Sequence, residues 1–148
     1  FEDTLFPVCS PSLLAQANMQ TPDDLLAQTL LTVDWCSHAG HPIPSWSDWF
    51  KSAGVALNKM PNQRQYSLYS LALDQAIAGQ GVVLASYPLV ADRLASGVLV
   101  RPFAEHYPLA SPFAYELILP SDGETPPAVA RFVEWLEQEA TLFRNTST

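Results

Sequence analysis

Cysteine is scarce, at two in 148 residues. Cys9 in PVCSP and Cys36 in DWCSH have neither the density of a disulfide scaffold nor the paired spacing of a zinc site. Reduced thiols of an intracellular protein are therefore expected. Basic residues are few as well: seven Lys and Arg stand against fifteen Asp and Glu, a net charge of −8. That sign is wrong for a surface that neutralises phosphates, so this segment is not expected to touch nucleic acid. No apolar run approaches the ~20 residues of a membrane span, and no basic start with an apolar segment behind it marks a signal peptide. The chain starts at Phe1-Glu2-Asp3 without Met, the start expected of a fragment or processed product. Neither GxSxG nor HExxH occurs, so hydrolytic chemistry has no motif to rest on.

What is present is apolar: 48% hydrophobic and 15% charged residues, in a length suited to one domain or part of one. Thr21, Pro22, Asp23 and Asp24 spell the start of a short helix in TPDDLLAQ, and TLLTV (29–33) reads as a strand. After a loop rich in turn formers, Trp46, Trp49, Phe50 and Ala53 recur at helical spacing and Gly54 stands where that helix should end; aromatics so spaced read as core. A short strand at 64–66 leads to a helix over 68–78, closed by Gly79, and then to the strand VVLAS. Pro88 and Gly97 bracket the next helix, VLVRPF (98–103) reads as a strand, and so does FAYELIL (113–119) within PFAYELILP. Such alternation predicts an α/β fold with a parallel sheet and crossover helices. The last helix carries an apolar stripe through Val129, Phe132, Val133, Leu136, Ala140 and Phe143, wide enough to need a substantial partner surface.

The pair Gly79-Gln80-Gly81 raises the question of a phosphate loop, but such loops run strand, glycines, helix, so that helix N-terminal amides meet the anion. Here the order is helix, glycines, strand, and the glycines stop a helix. Cys36, His38 and His41 offer soft ligands in one loop, yet a closed tetrahedral site needs four, and no metal or cofactor is expected. The start of the helix before Gly79 is more informative. QYSLYSL places Ser67 and Ser70 at a helix N-terminus directly after a strand, an arrangement that suits a small carboxylate or phosphate and equally suits simple helix capping.

Four stretches, in order, carry a family likeness: LFPVCSPSLL, SWSDWF with its following AG, ALDQAIAGQGVVLASYPLVADRLASGVLVRPF, and AYELILP with VARFVEWLEQEA. Together they resemble the C-terminal effector-binding region of LysR-type transcriptional regulators. SWSDWF is most similar to the branch with the glycine-cleavage activator and the β-lactamase regulator. The resemblance implies a fold like a small periplasmic binding protein, in which two α/β subdomains joined by two crossing strands hold a small molecule between them. Mapped onto this chain, residues 1–10 form a crossing strand, 11–110 the second subdomain, and 111–148 the return strand and terminal helix of the first subdomain. The rest of that subdomain, and the DNA-binding domain and linker of such regulators, have no counterpart in the sequence.

By the same resemblance, the effector cleft is lined by Pro7, Val8, Ser67, Leu68, Tyr69, Ser70 and Tyr115, with Leu68 and Tyr69 in place of the small polar residues often found there. The implied activity is sensing rather than catalysis. Its implied partners are a small-molecule effector, further copies of the chain in a dimer or tetramer, and DNA only through the absent domain, in the cytoplasm and away from membranes. Two rivals predict different surroundings: a solute-binding receptor of a transporter requires an exported precursor, and a bilobal α/β enzyme requires turnover at Ser67 or His38.

Overall fold

A computed structural model of the chain describes residues 2–33, 44–103, 107–119 and 125–146. Glu2–Val8 (β1) runs into Ser10, whose hydroxyl accepts the Leu13 amide at 3.2 Å. Pro11 takes the first position of α1 (Pro11–Ala17), a helix too short to show periodicity whose signal is this Ser-Pro start. Pro22–Ala27 coils as a 3-10 helix, its start held by Asp24, which accepts the amides of Gln20 and Thr21 at 2.9 and 2.8 Å. Those hydrogen bonds hold the Asp24 carboxyl below its ordinary range. After β2 (Leu30–Val33), α2 (Trp46–Ser52) begins in the same way. Asp48 accepts the Ser45 hydroxyl at 2.6 Å and its amide at 2.8 Å, and its carboxyl is likewise lowered. The remaining elements are β3 (Gln63–Tyr66), α3 (Tyr69–Ile77), β4 (Val82–Ser86), α4 (Tyr87–Ala95), β5 (Leu109–Ala114) and α5 (Pro127–Thr146).

The strands form one sheet in the order β3-β2-β4-β1-β5. β3, β2 and β4 are parallel, as the alternation predicts, whereas β1 is antiparallel to β4, with Leu5 opposite Ser86 and Val8 opposite Val83. The crossover from β2 to β3 moves one way along the sheet and that from β3 to β4 moves back, so right-handed connections place α2 and α3 on opposite faces. The core follows this division, strand by strand, with period two. Leu31, Val83, Ala85, Phe6 and Val8 pack with Ala72, Leu73 and Ala76 of α3 and Val90 of α4. Leu30, Val82 and Cys9 pack on the other side with Leu25, Trp46, Trp49 and Phe50. Trp46 and Trp49 are core, as expected, and the Trp49 indole donates to the Tyr107 carbonyl at 2.8 Å. Burial pushes the Cys9 thiol up to about 12, so it stays protonated and inert at neutral pH.

Gly79 and Gly81 have separate tasks. Gly79, at φ 74°, ends α3 in the left-handed conformation, which lets its own amide reach the Ala76 carbonyl at 3.1 Å and the Gln80 amide reach Gln75 at 2.9 Å. Gly81 is buried where β4 first meets β2: a Cβ there would stand 2.4 Å from the Thr29 carbonyl oxygen and 2.9 Å from Leu31.

Two strands differ from expectation. Within residues 98–103 only Val100 pairs, in an isolated antiparallel bridge to Cys9. Leu99 is turned back onto α4 by its hydrogen bond to the Arg93 carbonyl, 3.0 Å, and is wholly buried, while Pro102 has no amide to pair. The late strand runs over Leu109–Ala114, sharing only residues 113 and 114 with FAYELIL, and residues 115–119 are irregular and exposed. β5 is an edge strand, which is why it tolerates Pro112.

The chain divides into two compact units, Glu2–Phe113 and Ala114–Thr148. Among its described side chains the second unit has none that is buried. Its helix α5 leaves Phe132 55% and Leu142 61% exposed, with Val133, Leu136, Ala140 and Phe143 half-buried.

Gly81→Ala should cost about 1–3 kcal/mol, as overpacking against backbone does, with a lower urea midpoint at unchanged slope. Asp24 and Asp48, lowered in the folded state, contribute stability that is complete above the ordinary aspartate value of 3.8 and lost as pH falls through their folded values. The gap in Tm between the wild-type chain and Asp48→Asn should therefore be widest well above pH 3.8 and close as pH falls through the lowered folded-state value of Asp48.

Candidate functional site

Parallel strands bring the starts of the helices that follow them to one edge of a sheet, where ligands of open α/β folds bind. Here β2, β3 and β4 end at Val33, Tyr66 and Ser86, with Val33 opposite Tyr66. α3 starts three residues after Tyr66 and α4 directly after Ser86, so both N-termini lie at this carboxyl edge.

At α3 the residue in the capping position is Leu68, extended at φ −129° and ψ 138°, and no side chain caps the helix. Neither Ser67 nor Ser70 closes the first turn, so capping does not account for them. Both are exposed, as is Leu68 at 58%, whereas Tyr69 is half-buried and packs on the core beside Tyr66. The result is a pair of outward hydroxyls at the positive end of a nine-residue helix, with an apolar neighbour.

α4 is arranged differently. Ser86, 6% exposed, turns its hydroxyl to Asp3 of β1 at 2.5 Å instead of capping, and Asp3 also accepts the Thr4 amide at 2.8 Å. A carboxylate of the chain itself thus stands by the start of α4. Sequence reasoning missed this pairing because residues 83 apart meet only through the β1–β4 ladder.

The other expected positions are spread out. Pro7 lies opposite Leu84 at the middle of β4, and Val8 opposite Val83 toward its amino end. Both are buried, and Val8 is fully enclosed, so its side chain is not part of a ligand surface on this unit. Tyr115 follows the end of β5 rather than lying within a strand, and belongs to the second unit. It is 46% exposed and, with Glu116 and Leu117, borders a cleft of about 630 Å³ whose other wall is Leu136, Ala140 and Arg144 of α5. The Cys36, His38 and His41 loop lies outside the described residues, and among the described residues no group of three His, Cys, Asp or Glu is placed to hold a metal.

Residues 1–141 match the LysR substrate binding domain. The chain belongs to that family. It is 29% identical over 153 residues to the glycine cleavage system transcriptional activator of Escherichia coli, covering 97% of this chain and 47% of that protein. With the transcriptional activator AmpR of Pseudomonas aeruginosa it shares 34% over 143 residues, 96% of this chain and 44% of the activator. The effector domain of Pseudomonas aeruginosa AmpR superposes with a TM-score of 0.67 at 31% identity, over 100% of this chain and 67% of that domain. The LysR substrate-binding chain thus spans less than half of these regulators and two thirds of the solved domain. Its fold is the periplasmic-binding-protein-like effector fold, and the relatives are transcriptional regulators, which favours the sensor over the transporter receptor. No described helix is long and apolar enough to cross a membrane.

Ser86→Ala should leave Asp3 half-buried without its hydroxyl partner and cost about 1–3 kcal/mol. A urea midpoint equal to that of the wild-type chain would show the contact to be idle.

Proposed function

We propose that this chain is the effector-sensing part of a LysR-type transcriptional regulator, and that its ligand is a small molecule held at the carboxyl edge beside Ser67–Ser70. One observation carries the placement: the α3 N-terminus has no side-chain cap, while two serine hydroxyls beside it are exposed. Free helix amides and hydroxyls suit a carboxylate or phosphate, and exposed Leu68 suits an apolar portion next to it. Tyr115 is a further proposed ligand residue by the family resemblance, and Pro7 and Val8 contribute main chain rather than side chains. Under this reading residues 11–110 are one subdomain, 1–10 a crossing strand, and 111–148 part of the other subdomain.

Signalling follows from differential affinity. An effector that binds one arrangement of two subdomains more tightly than another shifts the population, and by no more than that difference in affinity. Copies of the regulator packed as dimers or tetramers in the cytoplasm transmit the shift to DNA-binding domains outside this sequence. No catalytic step is involved.

The test is a thermal-shift screen of amino acids, aromatic acids and cell-wall peptides, because a ligand of the folded state raises Tm with concentration over Kd. Ser67→Ala should weaken the responding ligand about tenfold, the effect of losing one hydrogen bond to a charged group, and Tyr115→Phe should weaken it less. Both variants should melt within about 2 °C of the wild-type chain without ligand. Unchanged titrations in both would overturn the site.

A further inference from the structure

A cationic side chain stands at the same edge. Arg101 follows Val100, whose two hydrogen bonds with Cys9, 2.9 and 3.1 Å, fix the backbone beside β1. Its guanidinium lies over the Phe6 ring at 4.2 Å from the centroid and reaches Tyr87, the first residue of α4, at 5.9 Å. Phe6 and Tyr87 are themselves 6.4 Å apart, so the two rings form a corner around the charge. Phe6 is opposite Ala85, one residue before β4 ends, and that places the corner at the carboxyl edge.

The charge is poorly compensated for one so enclosed. Arg101 is half-buried, and its Nε is buried with no hydrogen-bond partner among the described residues. Burial holds its pKa below the ordinary arginine value, with Tyr87 opposing it among the described residues. Asp3, three residues before Phe6, is already engaged by Ser86 and the Thr4 amide. Among the described residues no carboxylate is paired with this guanidinium, and a desolvated charge so placed is costly. The two rings have also removed much of the side chain's freedom, so an incoming anion meets a fork that is already oriented.

We propose that Arg101, held between Phe6 and Tyr87, is an anion-recognition residue that takes a carboxylate or phosphate group of the effector. This rests on the effector reading above, and it makes the effector an acid rather than a neutral molecule or an amine.

The test uses the arginine Nε–H resonances of the 15N-labelled chain, with the Arg101 signal assigned by its loss in Arg101→Lys. Sodium acetate and sodium phosphate, each titrated at constant ionic strength, should move the Arg101 signal saturably and leave Arg64, Arg93, Arg131 and Arg144 nearly still; whichever anion binds more tightly names the group. Phe6→Leu keeps the charge and removes a ring, and should weaken that binding about tenfold. An Arg101 signal that both salts leave unmoved, or that moves only in step with the other arginines, overturns the proposal. The two readings fail separately. If Arg101 takes neither anion but a small molecule still raises Tm in the screen, only this inference falls; if Arg101 takes an anion and no small molecule stabilises the chain, only the effector reading falls.

Discussion

The burial of β4 between β2 and β1 is the constraint on which the rest of residues 2–113 depends. β4 is the centre of the sheet, paired parallel on one side and antiparallel on the other. Its residues alternate between two cores, and each core needs its own helical cover. Fitting the strand there leaves no room at its entrance: the Val82 amide bonds the Thr29 carbonyl at 3.0 Å, and the residue before it can only be Gly81. Fixing the entrance also fixes the exit, because β4 is five residues long and α4 begins at once. The carboxyl edge, with its two helix starts and Arg101, is therefore a consequence of how the middle strand is packed.

The two features proposed to meet an anion at that edge are unlike. At α3 the positive end of the helix is open, without a side-chain cap, and the serines point outward. At α4 Ser86 holds the chain's own Asp3 carboxylate, and the Arg101 guanidinium lies over the Phe6 and Tyr87 rings.

Much of this was legible beforehand, and what was not has a physical reason. Helix stops and starts were readable at Thr21, Pro22, Gly54, Gly79, Pro88 and Gly97, because caps and left-handed residues are local requirements. The parallel block was readable from alternation. The strand readings at 98–103 and 115–119 failed because an apolar, β-favouring stretch becomes a strand only where a neighbour offers free main chain. Leu99 was instead drawn to α4, and only Val100 found Cys9. Ser67 and Ser70 posed a different problem: capping a helix and binding an anion use the same residue types at the same place, so composition cannot separate them. Arg101 gave no sign at all, since its rings come from residues 95 and 14 positions away.

The sequence by itself determined the family, the order of the elements, the core aromatics and the absence of nucleotide-loop and hydrolase motifs, all of which depend on spacing along one chain. Tertiary structure decided that Val8 is enclosed, that Asp3 meets Ser86, that Leu68 rather than a serine occupies the capping position, and that Arg101 is held by Phe6 and Tyr87. These are contacts across the ladder and between layers, and their energies depend on which surfaces lose water together. No local pattern encodes that.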